Sequence, residues 1–403
     1  MDKYYELTED KVVKYVNEKI DFFSDDAVYK CSEIGDGNLN LVFRVKDTKN
    51  NKSIIVKQAL PYVRAAGDDW PLDIGRGAIE NKILKLEYEL TDGLVPKVYL
   101  FDDEMCCTIM EDLHDYIIMR YGLLNLEIYP NFAEQITDFL VKTLLLTSDV
   151  VMEHKEKKNR VKEFINPELC EITEELVYTE PFNIGGRNDM EDFLVDFHKK
   201  ELVEDDELRL EVAKLKFDFM NNAQALLHGD VHTGSIFVNQ KYTKVIDPEF
   251  AFYGPMAYDI GALIANLVMN YLSTDARLED GPAKDRHLNY LLKTMGEVID
   301  LFKVKSLKLW DEVVTDQMAK VPGFKDWYIN DVIVNTAGVT GCEMIRRTVG
   351  FAHVKDLDGI PDDAKREKTK KQNILLAKEF IKNRHKIVTG KDYINKEKPK
   401  FIE

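Results

Sequence analysis

The hydrophobic pattern changes character near residue 113, and this change limits the available folds more than any other feature of the chain. Between residues 29 and 113 the apolar residues come in short β-favouring runs, at 41–45, 53–57, 95–100 and 108–110. The polar stretch 47–52 between the first two predicts a hairpin. A single helix is expected over 79–90, where Ile79, Ile83, Leu84 and Leu86 share one side among charged neighbours. After Leu113 the period becomes helical. A long helix is expected over 131–152, and another carries Leu208, Val212, Leu215 and Phe219 directly into a loop at His228. Further helices are expected over 260–272, 288–302 and 332–348. The fold class is therefore α+β, with a small, mainly antiparallel β unit over residues 1–112 and a large, mainly α unit over 113–403.

Bulk properties exclude several classes. With 403 residues the chain can bury a large core in two or three domain-sized units. Its 72 acidic against 55 basic residues give a net charge of −17, a poor match for nucleic acid or an anionic membrane surface. Five scattered cysteines without a C-x-x-C pair indicate neither a zinc site nor a disulfide framework, and a reducing cytoplasm is the default. The N-terminal residues show no secretory signal. The longest apolar stretch, 260–272, is too short to span a bilayer and contains Asn266 and Asn270.

Chemistry concentrates in two loops. The run His228-Gly229-Asp230-Val231-His232-Thr233-Gly234-Ser235 places Asp230 between a helix and the short strand-like run 236–238. In phosphoryl transfer a carboxylate must accept or orient the proton of the attacking hydroxyl, and Asp230 suits that task. A turn-forming aspartate is the plainer alternative. His228 and His232 have i, i+4 spacing, but the segment is no continuous helix, so hydrogen bonding is expected of them rather than metal ligation. Asp247 and Glu249 follow the apolar pair Val245-Ile246. If the chain stays extended their side chains share one side, and hard oxygen donors suit Mg²⁺.

The stretch Gly35-Asp36-Gly37-Asn38-Leu39-Asn40 could lay backbone N–H groups over phosphates or serve only as a turn. It lacks the ending of a Walker loop. What raises it is Lys57, two strands on in an apolar run, with Glu80 on the next helix. That is the arrangement in which a lysine grips nucleotide phosphates and a glutamate orients it.

These residues carry a family resemblance. His228-Gly229-Asp230 followed by Asp247-Pro248-Glu249 resembles the aminoglycoside phosphotransferase branch of the protein-kinase-like fold, bilobal with a β N-lobe and an α C-lobe. More narrowly, the chain is similar to the 5-methylthioribose kinases. The similarity lies in Ser235 five residues after Asp230, in the run from Asp247 through Tyr258-Asp259-Ile260-Gly261, and in the pair Arg346-Arg347. The resemblance implies ATP-dependent phosphorylation of the 1-hydroxyl of 5-methylthioribose, in methionine salvage. It implies that Gly35, Gly37, Asn38 and Asn40 serve the nucleotide phosphates, with Lys57 paired to Glu80. Met110-Glu111-Asp112-Leu113 resembles an interlobe hinge that hydrogen-bonds adenine. Asp230 is implied to meet the sugar hydroxyl, Asp247 and Glu249 to hold Mg²⁺, and Asp259 to brace the catalytic loop. A cytoplasmic homodimer is implied as well. Other readings stay open at this point: a kinase of choline, an aminoglycoside or homoserine, or a nucleotide-binding scaffold without catalysis.

Three features have double readings. Arg346 and Arg347 are either a surface pair or stabilisers of charge on the transferring phosphoryl group. Adjacent helical side chains diverge by about 100°, so both facing one site requires a helix end or a distortion. The exposed-looking loop 68–72 carries Trp70, which either closes over a thiomethyl-sugar pocket or packs locally. The basic tail over 365–400 reads as a helix packed by one face, or as an interaction tail.

Overall fold

The structure, a computed structural model, describes residues 4–34, 39–63 and 67–394. Helix α1 (Glu9–Lys19) leads into an antiparallel meander of β1 (Tyr29–Glu33), β2 (Asn40–Asp47) and β3 (Lys52–Ala59). The β2–β3 hairpin closes as its polar turn demands. Asp47 accepts hydrogen bonds from the backbone N–H groups of Val28 and Lys49, each at 3.0 Å. Asn51 supplies the left-handed residue, at φ 52°. Strand β4 (Tyr62–Val63) pairs with β5 (Gly67–Pro71) as a small ribbon. The segment expected as a loop around Trp70 is thus a paired strand in its backbone. Helix α2 (Arg76–Leu90) follows, then β6 (Val98–Asp102) and β7 (Cys107–Glu111). The five-stranded sheet runs β1-β2-β3-β7-β6, antiparallel throughout. Phe43, Val45, Ile54, Val56 and Ile109 form its core with Val12 and Val16 of α1.

Two compact units divide the chain: residues up to Tyr116 together with Lys244–Ala251, and Ile117–Thr243 together with the residues from Phe252 on. The boundary expected after residue 112 falls after Tyr116, and a second stretch of the expected 113–403 unit groups elsewhere. Lys244–Ala251 belongs with the β unit, where the Val245 N–H donates to Leu94 O (2.8 Å) and Lys244 Nζ to Glu111 Oε2 (2.7 Å).

The second unit contains β8 (Ile117–Ile118), α3 (Met119–Leu124), α4 (Phe132–Leu146), α5 (His154–Glu163), α6 (Pro167–Tyr178), α7 (Asp192–His198) and α8 (Asp206–Asn221). Strands β9 (Ala225–Leu227) and β10 (Ile236–Val238) come next; β11 (Thr243–Val245) straddles the unit boundary, and β12 (Phe252–Gly254) follows. The chain ends in α9 (Ala257–Arg277), α10 (Pro282–Val313), α11 (Phe324–Val349), α12 (Lys355–Asp358), α13 (Asp363–Lys382) and α14 (Gly390–Tyr393). Two expectations need correction. Helix α4 stops at Leu146 rather than 152, with Thr147 as its C-cap and the Ser148 hydroxyl bonded to the Leu145 carbonyl at 2.7 Å. Helix α8 does not run into the His228 loop, because β9 intervenes and pairs with β12.

Helix α9 is buried along almost its whole length and packs on α11, which packs in turn on α13. Both contacts are too close for side chains. A Cβ on Gly261 would lie 2.6 Å from Val339 Cβ, and one on Gly341 would lie 2.4 Å from the Ala377 carbonyl oxygen. Gly341→Ala gains about 1 kcal/mol of helix propensity but overpacks the α11–α13 contact by about 1–3 kcal/mol. A net fall in the urea midpoint is expected, with the circular dichroism spectrum unchanged. A raised midpoint would show that the two helices can separate freely.

Candidate active site

Chemistry-bearing residues gather in two clusters, one in each unit. In the β unit Lys57 lies on β3, with its Nζ 2.7 Å from Glu80 Oε1 of α2 and also bonded to Asp247 Oδ1. The lysine is buried. Burial alone would lower its pKa, but Asp247, Glu80 and Glu249 together hold it well above the usual lysine value. Glu249 is buried too, and desolvation beside Asp247 and Glu80 pushes its carboxyl up to about 7 against the pull of Lys57 and Arg76.

Arg76 was not singled out from the sequence, yet it organises this cluster. Buried at the first position of α2, it donates through Nε to Glu249 Oε2 (3.3 Å) and through Nη2 to Asn40 Oδ1 (3.1 Å). It also donates to the carbonyls of Leu39, Leu60 and Asp73 at 2.8–3.0 Å. Asn40 Nδ2 donates to Glu249 Oε2 in turn, at 3.2 Å. The side chain of Asn40 is thereby committed to anchoring Glu249. Asp247 and Glu249 do not lie along an extended chain as expected, because Asp247 is left-handed, at φ 70°. They converge instead because Lys57 draws in one and Arg76 the other.

The second cluster centres on Asp230, in the loop between β9 and β10 rather than between a helix and a strand. Asp259, at the start of α9, accepts the backbone N–H groups of His228 (2.8 Å) and Gly229 (2.9 Å) and so braces the loop. Gly229 is left-handed at φ 82°, which allows the turn. His232 Nε2 lies 3.3 Å from Asp230 Oδ2, and Arg347 Nη2 lies 4.0 Å from Oδ1. Burial would raise the Asp230 pKa, but His232, Arg347 and Arg346 outweigh it and hold the carboxylate well below its ordinary range.

Arg346 and Arg347 occupy the last turn of α11, the helix-end geometry that two adjacent side chains need to serve one site. Glu343 draws both in: its Oε2 accepts from Arg346 Nη1 (3.1 Å) and its Oε1 from Arg347 Nε (2.6 Å). Its i−3 and i−4 spacing suits this. Sequence reasoning missed Glu343, although a lone carboxylate in the apolar run 339–345 was a usable signal.

The remaining sequence-derived candidates fall as follows. Gly35, Gly37 and Asn38 lie outside the described residues, and of Trp70 only the backbone is described, within β5. In the expected hinge, Met110 and Leu113 are buried. Glu111 accepts from Lys244, and Asp112 is gripped by Arg44 at 2.9 and 3.0 Å. Ser235 is buried, with its N–H donating to His232 O. Among the described residues no three or more His, Cys, Asp or Glu side chains form a metal-binding group. No helix among them is long and apolar enough to cross a membrane.

A model described as the phosphotransferase enzyme family matches residues 30–287, and with this match the antiparallel β unit and mainly α unit define the class as small-molecule kinases of protein-kinase-like fold. A methylthioribose kinase from Geobacillus sp. (strain WCH70) is 42% identical over 374 residues, 93% of this chain and 91% of that relative. One from Bacillus cereus (strain AH187) is 43% identical over 379 residues, 94% and 93% of the two chains. Among solved structures, a choline kinase from Cryptosporidium parvum is similar over 88% of this chain and 90% of its own, at 15% identity and a TM-score of 0.45. The chain belongs to the phosphotransferase enzyme family and, within it, to the methylthioribose kinases.

Proposed function

We propose that this chain transfers the γ-phosphoryl group of ATP to the 1-hydroxyl of 5-methylthioribose, giving 5-methylthioribose 1-phosphate in methionine salvage. The substrate is read from the relatives, whose similarity extends over more than nine-tenths of both chains. The chemistry is carried by one observation: Asp230 is held ionised beside an arginine pair that shares a single buried carboxylate.

A carboxylate held so acidic is a weak base. Asp230 therefore works by accepting the hydrogen bond of the sugar hydroxyl and aiming its oxygen, with proton transfer following late, as a loose phosphoryl-transfer transition state allows. Arg346 and Arg347 stabilise charge on the transferring group. Lys57 grips nucleotide phosphates, with Glu80 fixing its direction. Met110, Glu111, Asp112 and Leu113 offer the adenine edge, Gly35, Gly37 and Asn38 the phosphate loop, and Trp70 a cover for the thiomethyl sugar.

The donor set fits Mg²⁺, which takes one or two carboxylates and fills its other positions with phosphate oxygens and water. Asp247 and Glu249 are the two that would hold it. Bound there, the ion neutralises charge on the nucleotide phosphates. Lys57 and Arg76 keep both carboxylates in place. The working protein is proposed to be a cytoplasmic homodimer.

The test is a coupled ADP-release assay with Mg-ATP against methylthioribose, choline, an aminoglycoside and homoserine. ADP release dependent on methylthioribose alone is expected. Turnover confined to another acceptor would replace the substrate, and none with any acceptor would sink the reading.

A further inference from the structure

A third arginine, Arg120, reaches the Asp230 loop. Arg120 sits at the second position of α3, immediately after β8, and β8 pairs with β10 through Ile118 and Phe237. Its backbone N–H donates to Thr233 O at 3.0 Å. The segment is therefore tied to both the loop and the strand that leaves it. Its guanidinium is held from behind by two groups. Nη2 donates to Asn266 Oδ1 (3.0 Å), whose oxygen also accepts from the Thr233 hydroxyl (3.3 Å). Nε lies 3.5 Å from Asp356 Oδ2. Asp356 is buried and accepts from Asn270 Nδ2 at 2.7 Å, and Asn270 Oδ1 meets His287 Nε2 at 3.3 Å. This chain of buried polar groups leaves the arginine little freedom to turn away.

What Arg120 faces is the ring of His232. Its Nη2 is 3.4 Å from His232 Nδ1, and the Gly234 N–H donates to the same nitrogen at 2.9 Å. Two donors converge on Nδ1, and neither can accept. Nδ1 must therefore present its lone pair, and the ring proton resides on Nε2, the nitrogen beside Asp230 Oδ2. Burial lowers the His232 pKa, which keeps the ring neutral with that single proton. Gly234 makes the approach possible, because a Cβ there would lie 2.6 Å from His232 Cε1 and 3.0 Å from Arg120 Nη1.

We infer that Arg120 is a positioning residue for the catalytic carboxylate: together with the Gly234 N–H it holds His232 as the Nε2–H tautomer and fixes the ring's place, and His232 then pins Asp230 Oδ2, leaving Oδ1 for the acceptor hydroxyl. The inference rests on Asp230 acting as proposed above. Without Arg120 the Gly234 N–H alone holds Nδ1, and the ring, no longer backed by the guanidinium, can rock away from Asp230 Oδ2 and loosen its orientation. Misplacement of a reacting group by about 1 Å costs about 100-fold in rate.

The experiment has three arms. Wild-type turnover with Mg-ATP and methylthioribose is measured first; its absence counts against the functional reading, and the NMR arm then decides the positioning claim alone. In the second arm, Arg120→Met is expected to lower kcat by about 10- to 100-fold with KM for ATP unchanged. His232→Gln, which keeps an N–H donor, should retain more activity than His232→Leu. Arg120→Met with wild-type kcat, or equal activity of the two His232 variants, would overturn the inference. The third arm needs no variant to fold: ¹⁵N-histidine NMR of the wild-type protein should show His232 with a bare Nδ1 and a protonated Nε2. A protonated Nδ1 would overturn it irrespective of any mutant.

Discussion

Asp230→Asn should lower kcat by about 10²-fold or more, the cost of misaiming a reacting group by about 1 Å, while ATP binding measured by calorimetry stays within about twofold. The asparagine keeps the size of the side chain but replaces one acceptor oxygen by a donor. His232 Nε2–H then either still finds an oxygen, leaving an NH₂ toward the hydroxyl, or faces that NH₂ itself. Both arrangements forfeit the aim of the hydroxyl. A second signature follows from charge. Arg346 and Arg347 lose a buried anionic neighbour, so the folded protein gives up electrostatic stabilisation and the melting temperature should drop. Near-wild-type kcat in a folded Asp230→Asn protein would remove Asp230 from its role altogether.

Glu343→Gln is expected to carry the largest cost in stability, about 3–5 kcal/mol, because it leaves two buried guanidinium groups without their shared carboxylate. Burial opposes the charge on Glu343, but Arg346 and Arg347 overcome it and hold its pKa below the ordinary 4.5. The sign of the pH dependence follows. A depressed carboxylate contributes stability that is present above pH 4.5 and lost as the pH falls through its folded pKa. Urea titrations should show wild-type stability falling below pH 4.5, with a shallower fall in Glu343→Gln. Equal acid limbs in the two proteins would mean that the arginine pair is held by something else. Activity should fall as well, since the two arginines have no other reason to converge from adjacent helical positions.

The parts legible from sequence were those set by local rules. Alternation in residues 41–57 produced the β2–β3 hairpin, and apolar period produced α9 and α11. Lys57, Asp230 and Asp247 stood out because each is a charged residue in a turn or strand where apolar or neutral neighbours prevail. The groups that hold them did not stand out. Arg76, Arg120 and Glu343 are single charges on helices, where a solvated face is the ordinary reading, and only burial against distant partners gives them a task. The end of α4 is not legible because apolar residues continue to Met152, past the C-cap at Thr147. The left-handed backbone of Asp247 is invisible to pattern reading, since a non-glycine residue at positive φ is imposed by its surroundings.

The return of Lys244–Ala251 to the β unit has a consequence for how such a protein can be divided. A fragment ending at residue 116 would carry Lys57 and Glu80 but not Asp247, and Arg76 but not Glu249. Its lysine would lose the Asp247 carboxylate and its arginine that of Glu249. The β unit is therefore not a detachable N-terminal cassette. Truncation, domain exchange or split-protein reconstitution must take residues 244–251 along, and a gene fusion that swaps only the first 116 residues between relatives would graft the lysine of one onto the carboxylates of another.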